Sequence, residues 1–222
     1  MELDKDHSYF DTASTGSWDK LRDLMRREKI TVNTTDQHGR TALIFATADG
    51  NEEVVQWLIA QKADVNMQSV SGWAALHDAA NYGHLRIIKM LLDAHADIEM
   101  KNNDRETPLM RAVLSGQSAA VQMLAECGAK LDDADNEMQW TPLMCAIYKK
   151  DIASVKVLLD AGADIDFVND QKQSADSLAK RAGGQATQLL DEARIKRGCE
   201  KRAAQQAAKR NRQTAFRNYL KR

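Results

Sequence analysis

Apolar residues return along this chain in short helical clusters, and the clusters themselves return at a fixed interval. Val54, Val55, Leu58 and Ile59 form one cluster. Ile87, Ile88, Leu91 and Leu92 form the next, then Val121 and Leu124, then Val155, Leu158 and Leu159. Spacings of three and four put each cluster on one face of a helix. Ahead of each lies a shorter stretch built on Leu43, Leu76, Leu109 and Leu143, separated by 33, 33 and 34 residues. Small Ala46, Ala79, Ala112 and Ala146 recur in it and let those first helices approach closely. The pattern predicts a pair of helices per period. One pair cannot cover its own apolar face, so each must bury it against the next.

The punctuation between clusters has the same period. Thr41, Thr107, Thr141 and Ser174 sit where a hydroxyl caps the first helix. Pro108 and Pro142 follow at the first helical position, where a missing N–H costs nothing. Gly16, Gly50, Gly83 and Gly116 fall between paired helices, and Gly128 and Gly162 after the second. The copies depart from this at Ala74, which lacks the capping hydroxyl, and at Lys62, His95 and Lys150, which replace glycine.

Four strings carry the repeat: "GRTALIFATADGNEEVVQWLIAQKADVN", "GWAALHDAANYGHLRIIKMLLDAHADIE", "RETPLMRAVLSGQSAAVQMLAECGAKLD" and "QWTPLMCAIYKKDIASVKVLLDAGADID". They resemble the ankyrin repeat, the one opening RETPLM most fully, and the resemblance covers roughly residues 5–190. It implies an all-α solenoid of helix–turn–helix units joined by β-hairpin-like loops. The expected organisation is an ankyrin-repeat domain over 1–190. Within it lie an N-cap at 3–35, repeats at 36–68, 69–101, 102–134 and 135–168, and a C-cap at 169–190. Asp176 stands where leucine recurs elsewhere, which predicts a terminal unit with one face to solvent. A basic helical extension occupies 191–222.

Composition narrows the functional classes. Three cysteines without paired spacing predict a reduced compartment. The polar, acidic start and the lack of any long apolar run predict a soluble intracellular protein, cytoplasmic or nuclear, with cytoskeletal association compatible. The five histidines are scattered, with no Cys/His metal spacing, nucleophile elbow or phosphate-binding loop. No cofactor, metal or catalytic residue is expected. The resemblance gives His77 a structural role, bonding the backbone of an adjacent turn.

Function is therefore expected at the surface. The offset before the capping hydroxyl carries Arg40, Trp73, Glu106, Trp140 and Gln173. The pair before the inter-helix glycine contributes Asn81 and Tyr82, Leu114 and Ser115, and Tyr148 and Lys149. In the resembled family these offsets line the concave partner-binding surface. Candidate contacts are Arg40, Trp73, Tyr82, Glu106, Leu114, Trp140, Tyr148 and Lys149, in a protein–protein adaptor or scaffold. The competing expectation for Trp73 and Trp140 is that they lie flat against neighbouring hairpins and stiffen the array.

Net charge is −1 overall, but residues 191–222 hold eleven Lys/Arg against three Asp/Glu, a net +8. The remaining 20 basic and 29 acidic residues leave the body at −9. The tail ends in Phe216, Tyr219 and Leu220 at helical spacing among cations. Lys201, Arg202, Lys209, Arg210, Arg212, Phe216 and Tyr219 are its candidate binding residues. Docking to an acidic protein surface, such as a cytoskeletal polymer or a neighbouring subunit, competes with nucleic-acid binding, membrane contact and a solvated tail. A nucleic-acid-associated protein acting through the tail is the alternative to the adaptor.

Overall fold

A computed structural model describes residues 3–16 and 18–219, with side chains described at 9–16, 18–200 and 202–208. The first helices of successive units are α1 (Leu3–Thr15), α3 (Ala42–Ala48), α5 (Ala75–Tyr82), α7 (Pro108–Leu114), α9 (Pro142–Tyr148) and α11 (Ala175–Ala182). The second helices are α2 (Trp18–Glu28), α4 (Glu52–Ala60), α6 (Leu85–Asp93), α8 (Ser118–Glu126), α10 (Ile152–Ala161) and α12 (Gly184–Tyr219). The helix pairs stack in order, first helices against first helices, giving the expected all-α solenoid.

The caps explain where each first helix starts. Thr41, Thr107 and Thr141 accept the backbone N–H of Ile44, Met110 and Met144 at 3.3, 3.2 and 3.3 Å. Ala74 has no oxygen to offer, and His77 compensates from the other side. Its Nδ1 accepts the Ala74 N–H at 3.2 Å, which leaves the proton on Nε2 to be donated to the Glu106 carbonyl at 3.2 Å. Burial holds the His77 pKa below the usual value, keeping this neutral tautomer. The expectation for His77 is met, and one side chain joins two repeats.

Leu43, Leu76, Leu109 and Leu143 are all buried, as are Ala46, Ala79, Ala112 and Ala146. Over the first four units the first helices pack more closely together than the second helices do. Trp18 and Trp57 on the second helices pack against the core, as expected for that layer.

Between units the chain forms tight hairpin loops with isolated bridges, Thr35 to Thr41 and Val168 to Ser174. Neighbouring loops are sewn together by Val70 N–H to the His38 carbonyl at 2.8 Å and Asn103 N–H to the Ser71 carbonyl at 3.2 Å. Gly72 is needed here, since it adopts φ +77° and a Cβ would stand 2.6 Å from the Asn103 nitrogen. A second ladder links the ends of the second helices. Asn33, Asn66, Glu99 and Asp132 each accept a backbone N–H one repeat on, from Asp64, Asp97, Lys130 and Asp164 at 2.9, 2.8, 2.7 and 2.7 Å. Lys62, His95 and Lys150 do adopt positive φ, at 63°, 65° and 58°. Each carries the left-handed cost of about 1–2 kcal/mol that glycine avoids.

The C-terminal unit differs from expectation. Asp176 is bound by α12: the Arg194 guanidinium donates from Nη1 to Oδ1 at 2.9 Å and from Nη2 to Oδ2 at 2.6 Å. Those hydrogen bonds hold the Asp176 carboxyl below the usual range. Arg197 Nη2 donates to the Ala163 carbonyl at 2.7 Å, and Lys196 pairs with Asp160 at 3.3 Å. Helix α12 runs without a break through positions 190 and 191, so the last unit's second helix and the basic extension are one 36-residue rod, about 54 Å long at 1.5 Å per residue. Ala186 and Leu190 are buried, whereas residues 202–208 are all exposed.

Candidate partner-binding surface

The first helices and the hairpin tips share one face. Its middle is a polar cluster drawn from two adjacent repeats. Arg111 on α7 donates from Nη1 to Glu106 Oε2 at 3.1 Å and from Nη2 to Asn81 Oδ1 on α5 at 2.8 Å. Ser115 Oγ donates to the same Asn81 oxygen at 2.6 Å. Glu106 is held in turn by Asn102, whose Nδ2 donates to Oε2 at 3.1 Å. The Arg111 guanidinium lies over the Trp73 ring, 4.7 Å from its centroid. Trp73 is thus half-buried, a stacking platform with one partner already in place.

Arg40 repeats the theme one unit earlier. It pairs with Asp36 at 2.8 Å and lies over the Phe45 ring at 4.3 Å. Near both arginines sits Asp78, only 8% exposed, its carboxyl without a hydrogen bond within the described residues. Burial pushes its carboxyl up to about 7, against the pull of Arg40 and Arg111. Asp78 and Arg111 occupy the offset that holds Phe45, Cys145 and Leu178 in other units. The available signal was a charge recurring in an otherwise apolar column.

Trp140 corrects an expectation. It was expected as an exposed tip residue, and it is 8% exposed. Its indole Nε1 donates to Gln173 Oε1 at 2.8 Å and its ring meets Tyr148 edge-on at 5.0 Å. The next hairpin covers it, so this indole belongs to the packing of the array. Tyr148 and Tyr82 remain 65% and 53% exposed, Tyr82 stacked on His84 at 5.9 Å. Lys149 is exposed and Leu114 half-buried. The structure therefore brings together Trp73 and Glu106 through Arg111, and pairs Trp140 with Tyr148, while Tyr82 stands apart.

Of the tail candidates, Arg202 is described and exposed, donating from Nε to the Gly198 carbonyl at 3.1 Å. The side chains of Lys201, Lys209, Arg210, Arg212, Phe216 and Tyr219 lie outside the described residues.

Cys145 is buried, its thiol pushed up to about 12 by burial and by the charge of Glu106, which removes the thiolate a nucleophile needs. Among the described residues no group of three or more His, Cys, Asp or Glu is arranged to hold a metal ion. No helix among them is long and apolar enough to cross a membrane.

The chain matches the family described as ankyrin repeats (3 copies) over residues 11–102 and again over 94–169. A search of the curated proteins returns no match. Repeats of this kind generally serve as non-catalytic modules for protein–protein interaction. The matched segments span the greater part of the stacked helix pairs, and the chain belongs to the ankyrin-repeat family.

Proposed function

We propose that this chain is a non-catalytic adaptor or scaffold subunit that holds a protein partner against its hairpin tips and first helices. The observation that carries this reading is the cluster of Trp73, Asn81, Glu106, Arg111 and Ser115, hydrogen-bonded and stacked before any partner arrives. Side chains already fixed in place lose little entropy on binding. On either side stand exposed Tyr82 and Tyr148, residues of the type that dominates binding energy at interfaces. The tail serves to secure the complex to a larger assembly.

The test is affinity capture from cell extract, using the full chain and a Tyr82→Ala, Tyr148→Ala variant, with and without nuclease. Trp140 is left intact because its burial makes it a stability residue. Capture is expected to survive nuclease and to weaken about tenfold or more in the variant, each aromatic anchor contributing above ~1 kcal/mol. The fold should survive, its melt lowered only by the edge-on contact of Tyr148 with Trp140, about 0.5–1.5 kcal/mol. Undiminished capture by the variant removes the reading. Capture abolished by nuclease transfers the role to the basic tail, whose exposed Arg202 and neighbouring cations suit a phosphate backbone.

A further inference from the structure

Between the third and fourth repeats, the tips 102–106 and 135–140 and helices α7 and α9 enclose a cleft of about 190 Å³. Its floor is apolar, made by Met110, Leu114 and the buried Cys145. Its rim is acidic, made by Asp104, Glu106 and Glu137, and no cation lines it. The nearby cations are engaged: Arg105 with Asp135 at 3.0 Å, Lys101 with Asp133 at 2.7 Å, Arg111 with Glu106 at 3.1 Å. Asp104 and Glu137 are exposed and have no ion-pair partner among the described residues. Met138 beside them is 58% exposed.

An apolar floor beneath an anionic rim matches a side chain with an aliphatic stem and a cationic end. That chemistry is concentrated in one stretch of this chain. Residues 209–222, "KRNRQTAFRNYLKR", hold six Lys/Arg, no acid, and Phe216, Tyr219 and Leu220 for apolar contact. Helix α12 packs chiefly on α10 and α11. It then continues unbroken from Glu200 to Tyr219, about 30 Å of helix that would have to break in order to fold back.

We infer that the cleft between the third and fourth repeats binds a lysine or arginine of segment 209–222 from a second copy of this chain, joining copies head to tail. This rests on the reading that the first-helix face is a recognition surface. The contact uses different patches on the two copies, so it closes as a reciprocal dimer or propagates into a longer assembly.

Sedimentation velocity on the purified full chain tests it. The expected result is concentration-dependent association at low ionic strength that reverts to single chains near 1 M salt, where the screening length is about 3 Å. An Asp104→Asn, Glu137→Gln variant removes rim charge without touching any side-chain hydrogen bond among the described residues. An Arg210→Glu, Arg212→Glu variant reverses charge in the tail. Each alone should sediment as a single chain. Mixed, they should form a one-to-one complex, because one retains the segment and the other the cleft.

Single chains at every concentration, association that survives the rim variant, or failure of the mixture to pair would each overturn the inference. Partner capture that persists in a chain which never self-associates, and that Tyr82→Ala, Tyr148→Ala abolishes, would sink this contact alone. Self-association beside capture that ignores those tyrosines would instead sink the broader reading.

Discussion

At the scale of single residues, Asp78 is the clearest test of the electrostatics. Its carboxyl is raised from the usual 3.8 to about 7, so the folded chain holds a proton that the unfolded chain has released. Its contribution to stability is fully present below about 4 and is lost as pH rises through about 7. Asp78→Asn stays neutral throughout. It should leave the melt unchanged near pH 4 and stabilise the fold at pH 8 by about 1–3 kcal/mol, or roughly 2–4 °C per kcal/mol. Buried His77 runs the other way, its stability lost as pH falls below its usual value, so wild type and variant must be compared at each pH. Equal melts of both at pH 8 would contradict the assigned environment. Asp78 escaped sequence reasoning because its offset reads as packing in the other repeats. The side-chain direction of Trp140 was illegible for a related reason. Trp73 and Trp140 share an offset, yet Tyr148 and Gln173 enclose one while Arg111 covers the other. Offset gives position along the chain and leaves the neighbours open.

At the scale of elements, periodicity made the helix pairs legible, because caps, prolines and apolar spacing all repeat with the fold. Termini were less so. Asp176 has no counterpart in the repeats, and its partner Arg194 lies on the continuation of α12. Two truncations separate the working part of that helix from the free part. Ending the chain at Arg202 removes side chains that, where described, lie in water, and should leave the melting temperature unchanged. Ending it at Leu190 also removes Arg194 and Arg197, with their bonds to Asp176 and the Ala163 carbonyl, and should lower it. Loss of hydrogen bonds to charged groups costs about 1.5–3 kcal/mol each when partly shielded, less here because Arg194 and Asp176 are each 37% exposed. Equal melting of the two truncations would contradict the clamp.

At the scale of the whole molecule, the proposed function gives the two faces of the solenoid separate duties. The layer of second helices closes the apolar seam, while the first helices and hairpin tips present charge, amide and aromatic groups in fixed positions. Stacking of successive repeats gathers groups that lie 30 or more residues apart, as the Arg111 to Asn81 bond does. Family membership carries the general interaction role, and the identity of the contacts rests on this geometry. Hydrogen–deuterium exchange of the full chain, free and bound to a captured partner, measures the proposed division directly. Slowed exchange at tips 69–73, 102–106 and 135–140 and in α5, α7 and α9, with α4, α6 and α8 unchanged, is the predicted result. Slowing confined to the second helices, with the tips unaffected, would contradict it.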